Sequence, residues 1–151
     1  MITLVQRVSQ ASVSINGEET GAIGEGLLIL LGIHQHDTRA EAEWLARKCA
    51  YMRIFPDEAG NMNRSLLCVG GEALVVSQFT LYGEATRGHR PSFTCAAKPD
   101  LAIPLYEHFI AALSNELQKP VAHGVFGAMM QVSLINDGPV TIWLERTPRI
   151  R

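Results

Sequence analysis

The sequence has few cysteines, no long apolar run and no excess of positive charge, and each shortage excludes a class of protein. Three cysteines occur in 151 residues, Cys49, Cys68 and Cys95. They are widely spaced and form no C-x-x-C pair, so neither a disulfide framework nor a structural zinc site is expected. Buried reduced thiols are the expectation. The longest apolar stretch, Leu27 to Leu31, is strand-sized and far short of the roughly 18 residues that cross a membrane. The opening Met1-Ile2-Thr3-Leu4-Val5-Gln6-Arg7 has no basic region, apolar core and small-residue site in succession, so a cytoplasmic protein is expected. Thirteen basic and fifteen acidic residues give a net charge of −2. Wrapping a long nucleic acid draws most of its affinity from phosphate neutralisation. The balance therefore allows only a local contact, such as one strand end.

What is present is ordinary globular composition, 47% hydrophobic and 19% charged, without repeats, low-complexity segments or linkers. Residues 2 to 15 mix alternation with β-branched residues and predict extended structure. Asn16-Gly17 follows where a two-residue hairpin turn fits. Leu27 to Ile33 reads as a strand buried on both faces. A helix is predicted from Asp37 or Thr38 as cap, with Glu41 three to four residues on. Trp44, Leu45, Cys49 and Met52 recur at helical spacing up to about Phe55, where Pro56 stops it. Residues 57 to 63 are turn-rich. Ala73 to Phe79 predicts another strand, and a second helix runs from Pro99-Asp100 to about Leu117. Leu101, Leu105, His108, Phe109 and Leu113 are its expected inner face. Val121 to Phe126, Met129 to Ile135 and Val140 to Leu144 predict three closing strands separated by turns. The expected fold is a single mixed α/β domain of layered sheet with two main helices, in the order three strands, helix, strand, helix, strands.

Two stretches put polar residues beside apolar strands. Ser77-Gln78-Phe79-Thr80 ends a buried strand and leads, through a polar loop, to Arg87-Gly88-His89-Arg90-Pro91-Ser92-Phe93. Hydroxyl and amide groups at a strand end either read a ligand's polar atoms or satisfy local backbone groups. Asn136-Asp137-Gly138-Pro139 is either a plain hairpin turn or a rigid device that aims carbonyls, since a Gly-Pro bond is open to cis geometry. Familiar catalytic signatures are missing: no G-x-S-x-G, no H-E-x-x-H, no P-loop. His34 and His36 can share a face, but no Asp, Glu or Cys arrangement beside them makes a convincing metal set. His89 is a lone loop histidine, and Cys95 lacks a neighbouring base or positive charge to activate it. The residues point to a small-molecule or strand-end site and leave the reaction open.

The motifs Ser77-Gln78-Phe79-Thr80-Leu81, Arg87-Gly88-x-Arg90-Pro91-Ser92-Phe93 and Met130-Gln131-Val132-Ser133-Leu134-x-Asn136-Asp137-Gly138-Pro139-Val140-Thr141 resemble the D-aminoacyl-tRNA deacylase family. Gln6-Arg7-Val8, Gly24-x-Gly26-Leu27-Leu28 and Arg53-Ile54-Phe55 match it too. The resemblance runs from Met1 to about Leu144, which sets a domain of residues 1–145 and a short basic tail of residues 146–151. Ile142 departs at a position often aromatic in the family, and Glu84-Ala85-Thr86 and His89 fall where it varies. The resemblance implies a homodimer with active sites at the interface, the tRNA acceptor end as partner, no membrane, and no metal or organic cofactor. It places Ser77, Gln78, Phe79 and Thr80 around the aminoacyl-adenosine. It makes Gly138-Pro139 a cis pair that excludes L-amino acids from the partner's pocket. Met130, Arg7, Arg87, Arg90 and Asn136 are expected to help bind substrate. Two other readings stay open: a module that binds aminoacyl-tRNA without hydrolysing it, and an esterase of small D-amino acid esters.

Overall fold

The computed structural model describes residues 1–149; the last two residues of the expected basic tail lie outside the described residues. The chain forms β1 (Ile2–Ile15), β2 (Glu18–Ile23), β3 (Gly26–Gly32), α1 (Arg39–Tyr51), β4 (Phe55–Pro56), β5 (Met62–Arg64), α2 (Leu66–Val69), β6 (Glu72–Ser77), a 3-10 turn (Phe79–Tyr82), α3 (Pro99–Leu117), β7 (Ala122–His123) and β8 (Gln131–Glu145). The main sheet runs β2-β1-β3-β6-β7, and β8 pairs with β1. β3 and β6 are parallel, as are β6 and β7, while β1 is antiparallel to β2, β3 and β8. This is the mixed α/β domain expected.

The apolar run of β3 explains the layering. Leu27, Ile29 and Leu31 face one cluster with Ala73 and Val75 of β6, covered by Leu45 and Cys49 of α1 and Phe109 and Leu113 of α3. Leu28 of β3 and Leu74 and Val76 of β6 face the other way, against Val8, Ala11 and Val13 of β1 and Ile23 of β2. The long β1 thus serves both faces, bending with β8 to close a partial barrel. Each fully buried Leu here contributes roughly 1.5–3 kcal/mol.

Local chemistry sets the boundaries. Asn16 and Gly17 hold φ of 51° and 79° and close the two-residue hairpin between β1 and β2, as expected. Thr38 caps α1: its hydroxyl accepts from Ala40 N–H at 3.3 Å, and the Glu41 carboxylate accepts from Thr38 N–H at 2.8 Å. Asp37, the other candidate cap, is buried and binds the Met1 ammonium at 2.7 Å.

Several expectations need correction. α1 ends at Tyr51, with Met52 extended, because Phe55 precedes a proline and pairs with Arg64 in the β4–β5 hairpin. The strand expected to reach Phe79 stops at Ser77, and the chain turns into the 3-10 segment. Of the first closing strand only Ala122–His123 remains. The other two are one continuous strand, β8, so residues 136–139 are not a hairpin turn. Four residues, Asp137 to Val140, stand opposite Arg7 alone in the β1–β8 register, since Val8 pairs with Asn136 and Gln6 with Thr141. The segment is a broad bulge. On α3, Leu101 is exposed and His108 half-buried, while Ala102, Tyr106 and Leu117 join Leu105, Phe109 and Leu113 inside. Trp44 points outward from α1. The three thiols are free, but only Cys49 is buried. Among the described residues no helix is long and apolar enough to cross a membrane.

Candidate active site

The end of β6 opens into a cleft of about 320 Å³. Ser77 is the last residue paired with β3, opposite Leu31. Gln78 N–H still donates to Leu31 O at 2.8 Å, and then the chain leaves the sheet. The 3-10 turn is closed by Leu81 N–H to Gln78 O at 3.3 Å and Gly83 N–H to Thr80 O at 2.9 Å. The first amides of such a turn lie ahead of its own acceptors, so Phe79 and Thr80 N–H head it. The Gln78 side-chain amide donates to the Thr80 hydroxyl. Phe79 is 55% exposed and meets the edge of Phe93, centroids 5.2 Å apart.

The facing wall comes from residues 126–130 and the start of α3. Ser77, Gln78, Phe79, Ala102, Phe126 and Met130 all line the cleft. Among its described lining residues none is ionisable. The first expected group is thereby brought together, with Thr80 beside it through Gln78. Ala97, Ala102 and Phe126 were missed, because nothing local in their sequence marks them; the topology delivers them.

The second expected group gathers elsewhere. The Gly138–Pro139 peptide is cis, and Gly138 has φ 136°. Neither residue lines the cleft. Beneath the bulge, Arg7 Nε donates to Asp137 O at 2.9 Å and Arg7 Nη1 to Ile54 O at 2.7 Å. Its side chain is 11% exposed, which makes it a strut under this loop. Asn136 spans the bulge: its Oδ1 accepts from Val140 N–H at 3.0 Å, and its Nδ2 donates to the Thr141 hydroxyl at 3.0 Å. A Cβ on Gly138 would lie 2.8 Å from Val140 Cγ2 and 3.0 Å from Arg7 Nη2, so the backbone fits only glycine.

Arg87 and Arg90 sit exposed in a loop closed by paired hydrogen bonds between Glu84 and Ser92, both 2.8 Å. That loop reaches the cleft mouth through Phe93. His34 and His36 do share a neighbourhood, rings 5.2 Å apart, but His34 Nδ1 accepts from His36 N–H at 3.2 Å. Among the described residues no three His, Cys, Asp or Glu side chains are placed to hold a metal ion. Burial, reinforced by the Asp37 carboxylate, pushes the Tyr82 phenol up, so Tyr82 beside His34 stays neutral.

The family model described as D-Tyr-tRNA(Tyr) deacylase matches residues 4–145. The chain belongs to that family. A D-aminoacyl-tRNA deacylase of Salinibacter ruber is 60% identical over 146 residues, 97% of either chain. One of Thermomicrobium roseum is 59% identical over 145 residues, 96% of this chain and 94% of the relative. Among solved structures, a c-Myc DNA unwinding element binding protein superposes with a TM-score of 0.91 at 41% identity, covering 98% of this chain and 100% of that one. A probable eukaryotic D-amino acid tRNA deacylase superposes with a TM-score of 0.84, covering 95% of this chain and 97% of that one, and at 16% identity this is a likeness of fold alone.

Proposed function

We propose that this chain hydrolyses the ester joining a D-amino acid to the 3′ end of tRNA. Beside the family membership, the observation that carries this is the chemistry of the cleft, whose lining offers amides, hydroxyls and apolar surface but no ionisable side chain. An aminoacyl ester is intrinsically labile, so positioning and oxyanion stabilisation are enough to accelerate its hydrolysis. In this reading Phe79 and Thr80 N–H meet the ester carbonyl. Ser77 and Gln78 hold the aminoacyl-adenosine, Met130 walls the pocket, and the substrate's own ribose 2′-hydroxyl helps to activate water. Arg87 and Arg90, in the exposed loop that leads to Phe93, hold phosphate near the acceptor end.

Selection between enantiomers follows from the second segment. Gly138-Pro139 presents main-chain carbonyls on a strut-supported bulge and enters the cleft of a second copy, where an L side chain collides with it and a D side chain does not. Two features support this arrangement. The bulge lies outside its own subunit's cleft, and the neighbouring surface of β8 exposes Ile135 and Trp143 at 52% and 50%, apolar area of the kind an interface covers. Glycine has no side chain to exclude, so glycyl-tRNA is a substrate as well.

The test is hydrolysis of D-tyrosyl-tRNA and L-tyrosyl-tRNA by EDTA-treated protein. Rapid loss of the D-ester alone is expected. Equal survival of both esters would sink the catalytic reading and favour a module that binds aminoacyl-tRNA without cleaving it.

A further inference from the structure

The outward side of α1 holds a cationic and aromatic face separate from the cleft. Trp44, Arg47, Lys48 and Tyr51 stand at spacing i, i+3, i+4 and i+7, which aligns four side chains on one stripe. The opposite stripe, with Ala42, Leu45, Ala46, Cys49 and Ala50, is buried. Trp44 and Tyr51 are 38% and 46% exposed. Both rings lie beneath cations: Lys48 Nζ is 5.6 Å and the Arg146 guanidinium 4.9 Å from the Trp44 centroid, and the Arg47 guanidinium is 5.6 Å from that of Tyr51. Arg146 is fixed in place, its N–H donating to Met1 O at 2.9 Å and its carbonyl accepting from the Met1 ammonium at 2.8 Å.

Among the described residues these three cations lack the acidic partners that normally neutralise a solvated helix face. Among the described residues, the ion pairs use the Met1 ammonium, Arg7, Arg64 and His108. Glu43, the nearest acid on the helix surface, is engaged by His108 of α3 at 2.8 Å. A chain of net charge −2 therefore concentrates unpaired positive charge at one spot. The rings hold the cationic stems in place, so less side-chain freedom is lost when an anion binds.

We propose that Arg47, Lys48 and Arg146 form a docking site for backbone phosphates of the tRNA whose 3′ end enters the cleft, a proposal that rests on the deacylase reading. Its position suits this role. Ile33, just beyond β3, lines the cleft, and α1 starts six residues later at Arg39. With a rise of about 1.5 Å per residue, the stripe lies roughly 8 to 18 Å along the helix from that start. A strand advancing about 3.4 Å per nucleotide covers that length of helix in a few nucleotides.

The experiment compares wild type with Arg47→Glu/Lys48→Glu and with the milder Arg47→Gln/Lys48→Gln, after circular dichroism confirms the fold of each. Binding of uncharged tRNA is read by fluorescence anisotropy across salt concentrations, and hydrolysis on both D-tyrosyl-tRNA and 3′-D-tyrosyl-adenosine. The charge-reversed variant is expected to raise KM for D-tyrosyl-tRNA about tenfold or more at low salt with kcat held. The slope of log affinity against log salt should shrink by about 1.5 to 2, more in the Glu variant than in the Gln variant. Turnover of 3′-D-tyrosyl-adenosine should not change. An unaltered KM and salt slope overturn the proposal. So does an equal loss on the adenosine ester, which would place the defect in the cleft, and so does binding to anionic vesicles that the variants abolish while tRNA affinity stays. A wild type that hydrolyses neither ester overturns the deacylase reading instead, and the anisotropy slope then still decides the face.

Discussion

The two polar segments of this molecule are built in opposite ways. Ser77–Thr80 takes its shape from the backbone: a parallel ladder to Leu31, one last bond from Gln78 N–H, then a 3-10 turn. Of its residues Ser77, Gln78 and Phe79 line the cleft. Asn136–Val140 takes its shape from side chains, because Arg7 and Asn136 replace the ladder bonds that the bulge interrupts. There the side chains are consumed and the main-chain carbonyls are left to act. A pocket that must orient many parts of a substrate benefits from the first construction. A rigid obstacle, whose position must not yield when an unwanted side chain presses on it, benefits from the second.

The largest break in this comparison comes from Arg7→Ala. It removes two charge-assisted bonds, to the exposed Asp137 O and the part-buried Ile54 O. A stability loss of about 2 to 4 kcal/mol in urea unfolding is expected. The D:L rate ratio should fall by about tenfold or more, because the obstacle loses its support. A ratio that holds despite the stability loss would mean that the bulge keeps its shape unaided. Thr80→Ala acts on the other construction and should do far less. If the amides carry the chemistry, kcat stays within about threefold, whereas a loss beyond about a hundredfold assigns the hydroxyl as nucleophile.

A core group supplies the smallest effect near neutral pH and serves as a control for both regions. Burial pushes the Cys49 thiol up to about 12 from 9.0, against the opposing hydrogen bond it shares with Thr3 Oγ1. In that window the folded protein keeps a proton that the unfolded chain has released, so rising pH favours unfolding. Stability should hold below pH 9.0 and begin to fall as pH rises past it. Cys49→Ala should remove the fall that begins at pH 9.0, below the range where the burial-raised Tyr82 and Tyr106 phenols add their own, and leave the D:L ratio untouched; a fall between pH 9.0 and 10.0 that persists in the variant would assign it to other groups.

Much of this plan is legible locally. The unbroken run Leu27–Leu31 announces a strand packed on both sides, Asn16-Gly17 a hairpin, and Thr38 with Glu41 a capped helix. Polar residues after an apolar run flag Ser77–Thr80. What escapes is whatever depends on long-range pairing. Gly138-Pro139 has turn composition, and only the pairing of Asn136 and Thr141 with the same distant strand makes the segment a bulge. Arg7 looks like a surface cation in a β pattern, and its role as a strut needs Ile54 and Asp137 brought to it. Trp44 follows helical spacing yet faces outward, since the inner stripe is filled by alanines that leave α1 and α3 in close contact.

The most direct test of this division of labour is Gly138→Ala, read as separate time courses on D-tyrosyl-tRNA and L-tyrosyl-tRNA. The new methyl cannot fit at φ 136° with Val140 Cγ2 at 2.8 Å, so the bulge must move at a cost of about 1 to 3 kcal/mol. A folded protein is expected whose D rate stays within about tenfold of wild type while the D:L ratio falls by at least as much. An unchanged ratio in the folded variant would contradict it, and chiral selection would then belong to the cleft itself.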